Sequence, residues 1–177
     1  MESRGCSLSV VSLAPASSNP QWTLSSALAE LEQTLAVAPP GMPLRLVGTS
    51  VGGLLASQYA ERHPEVVDSL FLLAPAFDLA ACLQRGCGGE ASLAGWQASG
   101  SAEVRGIRLG WAAFEDARSL HRGLPFVRCR AYVVAGLRDS FADLAETLAW
   151  VYAASSLMRR EGEGGDGQEA CRPRLAV

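Results

Sequence analysis

The feature that most constrains this chain is the run Gly48-Thr49-Ser50-Val51-Gly52 and the residues on either side of it. Residues 44–47 (LRLV) form a short apolar, strand-like stretch. Residues 54–62 (LLASQYAER) are rich in helix formers. A serine between such segments, in a G-x-S-x-G frame, stands on a sharp strand-to-helix turn with strained backbone. The two glycines, Gly48 and Gly52, are expected because side chains there would collide with the strand and the helix. The helix that follows aims its amino end at Ser50, where its amides favour developing negative charge. The alternative is a tight turn carrying a structural serine.

The surrounding pattern implies a parallel sheet. Residues 7–13 (SLSVVSL) read as a strand that leaves into a loop at Pro15. Leu24, Ala27, Leu28, Leu31 and Leu35 recur at helical spacing, with Thr23 or Ser25 as cap. Pro39, Pro40, Gly41 and Pro43 end that helix. His63-Pro64 ends the helix after Ser50. Residues 69–74 (SLFLLA) are nearly all apolar, as a strand buried on both faces would be. Strand and helix alternating in this way require parallel strands with crossover helices.

The alternation then breaks. Residues 79–123 read as an insertion over the sheet: helical pieces around Cys82 and Trp96, a hairpin strand at 104–109, and a helix from Trp111 to His121. Residues 130–135 (RAYVVA) return to the strand pattern, Gly136-Leu137-Arg138-Asp139 form a turn, and 141–157 form an apolar-periodic helix. From Arg159 the chain turns Gly-rich and charged, which predicts a disordered tail over 159–177. The predicted organisation is one domain over 1–158, with a lid at about 79–123, and that tail. The fold expected is a three-layer α/β sandwich with a mostly parallel sheet of about four strands.

Composition excludes several function classes. Formal net charge is −3, and all 15 basic residues are scattered arginines, so neither nucleic acid nor an anionic membrane is indicated. No apolar run approaches the ~20 residues that span a bilayer. The five cysteines, Cys6, Cys82, Cys87, Cys129 and Cys171, show neither disulfide spacing nor a CxxC pair. They read as reduced thiols in a cytoplasmic compartment, an organellar one remaining open. No metal and no cofactor is called for.

Asp139 is the second candidate for chemistry. It follows a late strand, downstream of the serine, where an acid that orients an imidazole would stand. It could equally be a turn or helix-cap aspartate; Asp78 and Asp143 are weaker candidates. The two histidines, His63 and His121, both precede Asp139. Neither is placed to complete a Ser-acid-His set, although His121 could reach the site from the lid. Trp96, Trp111 and Phe114 either line an acyl pocket or simply pack together.

The run LRLVGTSVGGLLASQYAERHPEVVDSLFLLAPAFDLAA resembles the core of small serine esterases of the α/β-hydrolase superfamily, notably YqiA-like esterases and serine aminopeptidase-type hydrolases. FEDARSLHRGLPFVRCRAYVVAGLRD resembles the lid exit, strand and acid turn of the same proteins. The resemblance implies Ser50 as nucleophile, Asp139 as acid and the Val51 amide as an oxyanion donor. It implies hydrolysis of carboxylic ester, thioester or small amide bonds through an acyl-serine, with a small acyl substrate as partner. Family members open with a strand and an HG-type loop carrying a second oxyanion donor, and end with a strand and catalytic histidine. The chain is therefore expected to be a truncated hydrolase domain with impaired chemistry, or an inactive relative that binds a ligand or partner.

Overall fold

The computed structural model describes residues 9–13, 21–39, 41–121, 123–162 and 174–176. Its elements, in chain order, are α1 (Leu24–Leu35), β1 (Leu44–Thr49), α2 (Val51–Arg62), β2 (Val67–Leu73), α3 (Leu79–Gly86), α4 (Glu90–Ser99), β3 (Ser101–Val104), β4 (Ile107–Gly110), α5 (Trp111–Leu120), β5 (Arg130–Val134), α6 (Leu144–Gly162) and β6 (Arg174–Ala176).

The main sheet has four parallel strands in the order β1-β2-β5-β6. The α/β class and the parallel sheet are those the sequence implies. The membership of the sheet differs. Residues 9–13 carry no strand, although 7–13 read as one. Apolar β-branched content forms a strand only where a neighbouring edge completes its hydrogen bonds. The backbone of Leu13 instead accepts the indole N–H of Trp22 at 2.9 Å. The fourth strand is β6, within the segment read as a disordered tail, and α6 continues to Gly162, past Arg159. Residues 163–173 and 177 of that segment lie outside the described residues.

Strand register explains which layers form. Leu70, Leu72, Ala131 and Val133 point to one face and are almost fully buried, with Leu54 and Leu55 of α2 in the same core. Helix α1 packs on α2 and α5, joined to α5 by Asp116, which accepts from the Ser25 amide at 2.7 Å and its hydroxyl at 2.6 Å. Val47, Phe71 and Tyr132 are register partners on the opposite face and stay 69%, 41% and 42% exposed. The expected third layer is therefore not seen among the described residues: helices cover one face of the sheet, and the other is open.

Local chemistry sets the element ends. Thr23, not Ser25, caps α1: its hydroxyl accepts from the Ser26 amide and the Ser26 hydroxyl accepts from the Thr23 amide, a reciprocal capping box. The single strand expected at 104–109 is an antiparallel hairpin, β3–β4, turning at Arg105-Gly106. Both turn residues have positive φ, 51° and 82°, the conformation that matches a two-residue turn to strand twist.

Candidate active site

Ser50 occupies the corner between β1 and α2 with φ 51° and ψ −121°. Side-chain-bearing residues avoid this region at a cost of about 1–3 kcal/mol, so neighbours must hold it there. The Ser50 amide donates to the Leu73 carbonyl at 2.9 Å, and the Ser50 carbonyl accepts from Gly53 at 3.0 Å and from Ala76 at 3.1 Å. Its side chain makes no capping bond to α2, which leaves the hydroxyl at the helix amino end uncommitted to the backbone. Val51 and Gly52 open α2, and the positive end of the helix dipole lies at this corner.

Only one of the two expected glycine constraints is present. A Cβ on Gly48 would overlap the backbone of Gly52, with Gly52 C at 2.6 Å. A Cβ on Gly52 would meet nothing within 4 Å. The second tight position is Gly53, where a Cβ would stand 2.9 Å from Pro75 Cβ. The contact that forbids a side chain is with the loop after β2, which pattern matching along a single strand-turn-helix does not reveal.

Asp139 lies beyond the carboxyl end of β5, and Ser50 beyond that of β1, two strands away in one parallel sheet. Thr49, Leu73 and Val134 stand in register at that end. Two strand spacings of about 4.8 Å set the lateral separation near 10 Å. The Asp139 carboxylate is exposed, and its Oδ1 accepts from the amides of Phe141 at 2.8 Å and Ala142 at 3.0 Å. It thus serves the turn as a local cap whatever else it does. Asp143 caps the start of α6 by accepting from Ala145 at 2.8 Å, and Asp78 caps α3 by accepting from Ala81 at 2.9 Å.

Both histidines lie near carboxylates other than Asp139. His63 Nε2 lies 2.7 Å from Glu32 Oε2, and its ring is tilted against that of Tyr59 with centroids 4.3 Å apart. Burial, then the charges of Glu32 and Glu65, push the Tyr59 hydroxyl above its usual pKa. His121, exposed at the end of α5, has Nε2 3.9 Å from Asp78 Oδ2, beyond hydrogen-bond distance. It also lines a cavity of about 10 Å³ with Gln58, Phe77 and Leu54, room for a single water. Burial raises the Glu146 carboxyl pKa, against the opposing Asp78 amide and Arg85.

Trp96, Trp111 and Phe114 pack on one another with ring centroids 5.0–5.8 Å apart, and Trp96 and Phe114 are buried. They are packing residues of the hydrophobic core. An open groove of about 570 Å³ runs past Leu28, Glu32, Arg62 and Leu120, away from Ser50. No group of three or more metal-ligating side chains is found among the described residues. Nor, among them, is any helix long and apolar enough to cross a membrane.

Residues 24–102 match the family model of serine aminopeptidase, S33. That span runs from α1 into β3 and includes the Ser50 corner. Comparison with curated proteins gives no match. Among solved structures, the chain is similar to α/β hydrolase domain-containing protein 10 from mouse, with a TM-score of 0.63 and 17% identity over 89% of this chain and 61% of that one. It is also similar to Est1E from Butyrivibrio proteoclasticus, with a TM-score of 0.61 and 14% identity over 87% and 60%. A hydrolase of Agrobacterium vitis S4 gives a TM-score of 0.60 and 21% identity over 88% and 60%. At such identities the likeness is one of fold. The chain spans about three fifths of the length of each of these structures.

Proposed function

We propose that the chain belongs to the α/β-hydrolase superfamily and is a serine hydrolase of carboxylic ester, thioester or small amide bonds. The observation that carries the reading is the backbone of Ser50, a non-glycine residue at φ 51° on a strand-to-helix corner. A strained serine whose hydroxyl makes no cap bond, at the amino end of a helix, is arranged for nucleophilic attack and not for capping. In the proposed step Ser50 Oγ bonds to the substrate carbonyl carbon and its proton passes to a base. The leaving alcohol, thiol or amine takes a proton as its bond breaks. Water then attacks the acyl-serine, releases the acid and restores Ser50.

The Val51 amide is assigned to the oxyanion, and Asp139 to orienting an imidazole. The substrate is a small acyl compound, and no cofactor enters the chemistry. The thiols of Cys82 and Cys87, neither in a disulfide, fit a reducing, cytoplasmic setting.

A second reading, a hydrolase-like protein that binds without turnover, is favoured by one specific observation. His63 and His121 are paired with Glu32 and Asp78, not with Asp139.

A fluorophosphonate probe separates the two. Labelling of the wild type that disappears in Ser50→Ala supports the hydrolase. Labelling that also disappears in His121→Ala would make His121 the base. Background labelling in all three proteins would favour the binding reading.

A further inference from the structure

The turn that carries Asp139 is gripped by the lid. Arg85, in the last turn of α3, donates to the Phe141 carbonyl from Nη2 at 2.7 Å and from Nε at 3.1 Å. The same Nη2 lies 3.6 Å from Glu146 Oε1, and Glu146 Oε2 accepts from the Asp78 amide at 3.2 Å. Helix α3 is thus tied to the segment beyond Asp139 at both of its ends, through Asp78 at its start and Arg85 at its finish. The lid also holds the Phe141 ring. A Cβ on Gly86 would come within 2.9 Å of Phe141 Cε2, and the Arg105 guanidinium stands 5.5 Å from the ring centroid. On its other side, the Phe141 amide donates to Asp139 Oδ1, as does the amide of Ala142.

We propose that Arg85 is a positioning residue for Asp139, seating its carboxylate through Phe141 and so coupling the lid to the acid of the site. Among the described residues those two amides alone anchor the carboxylate, so its direction follows the path of the backbone at 141–142. A fork of two N–H groups on one carbonyl fixes that path better than a single bond, and the positive charge strengthens both bonds. An acid works by holding an imidazole in one orientation, and small misplacement costs rate. Helix α3 and the acid turn are by this account one mechanical unit. The catalytic consequence rests on the hydrolase reading; the clamp itself does not.

Hydrogen exchange and probe labelling test it together. The Phe141 and Ala142 amides report the seat of the carboxylate directly. In Arg85→Ala their exchange is expected to quicken about tenfold, the loss of roughly one hydrogen bond's net worth, while amides of α2 hold. Arg85→Lys, which keeps the charge without the fork, should fall between. Gly86→Ala, which displaces the Phe141 ring with Arg85 intact, should quicken the same amides. Fluorophosphonate labelling of Ser50 should slow in Arg85→Ala, and the Arg85→Ala/Asp139→Asn double variant should label no more slowly than Asp139→Asn alone. Unchanged exchange at the two amides in Arg85→Ala, or slowing that adds fully in the double variant, would overturn the proposal. Absence of any Ser50-dependent labelling in the wild type would remove the hydrolase reading and the catalytic consequence with it, and the exchange rates would still decide the clamp.

Discussion

The Ala76 amide donates to the Ser50 carbonyl at 3.1 Å, so the loop that leaves β2 is bonded to the corner that leaves β1. The Ser50 amide makes the complementary tie, to the Leu73 carbonyl. The strained residue is therefore held on both sides of its own Cα by neighbouring strand and loop. Ala74, three residues beyond Phe71, also has positive φ, 43°, and its amide donates to the Val134 carbonyl at 2.7 Å. Strain at two adjacent strand ends is carried by one network of backbone bonds, which runs from β1 through β2 to β5.

That network predicts a stability gain on relaxing the corner. Glycine adopts positive φ without penalty, so Ser50→Gly should stabilise the chain by about 1 kcal/mol or more. Ser50→Ala keeps the strain and should leave stability within about 0.5 kcal/mol of wild type. Both should abolish probe labelling at this position. Urea unfolding of the three proteins checks this; equal stability of Gly and Ala variants would mean the φ of Ser50 costs nothing.

The glycines around the corner should separate sharply. Gly48→Ala and Gly53→Ala force a Cβ into the Gly52 backbone and Pro75 respectively, and overpacking of this kind costs typically 1–3 kcal/mol. Gly52→Ala adds a methyl to open space inside a helix and should gain about 0.5–1 kcal/mol from helix propensity. Thermal melts rank them. A destabilised Gly52→Ala would show that the motif's second glycine serves packing after all.

The two faces of the sheet give a third contrast. Leu72 is fully buried between β1 and β5, whereas its neighbour Phe71 faces outward and is 41% exposed. Leu72→Ala should cost about 2–5 kcal/mol, and Phe71→Ala less than about 1 kcal/mol despite removing more side chain. Comparable losses in chemical denaturation would mean that the open face is covered in solution.

What was legible in the sequence depended on whether a local cause sufficed. The Ser50 corner could be read because its backbone demands particular residue types within five positions. The α1 helix was equally plain, its apolar spacing being local and Thr23 capping it within one turn. Residues 7–13 misled because β-branched composition says nothing about whether an edge is there to pair with. The strand β6 was missed for the opposite reason: Arg174-Leu175-Ala176 is too short to show a period and owes its conformation to β5. Phe71 belongs to an almost continuous apolar run, which reads as burial on both faces, yet among the described residues one face is open. Asp139 could be placed at the end of a strand, but the bond from Arg85 to the Phe141 carbonyl in its turn crosses more than fifty residues and leaves no local trace.

Cys82 supplies a prediction in pH. Its thiol is fully buried, and burial pushes its pKa up to about 12, against the lowering effect of Arg85, whose Nη2 lies 3.4 Å from the sulfur. The folded state therefore holds this proton more tightly than the unfolded chain, whose thiol titrates near 9. Below pH 9 both states carry the proton and stability is unaffected. Between pH 9 and about 12 the unfolded chain ionises and the folded one does not, so stability falls by at most about 1.4 kcal/mol per pH unit from this group. Cys82→Ala lacks the group. Its difference in unfolding free energy from wild type should shrink steadily above pH 9, when the two are followed by urea unfolding at pH 8, 9, 10 and 11. Alkylation should agree: at pH 8 the half-buried Cys87 reacts with iodoacetamide well before Cys82 does. A wild-type-to-variant gap that stays constant to pH 11 would show that the Cys82 thiol ionises as readily folded as unfolded, through water admitted beside Arg85.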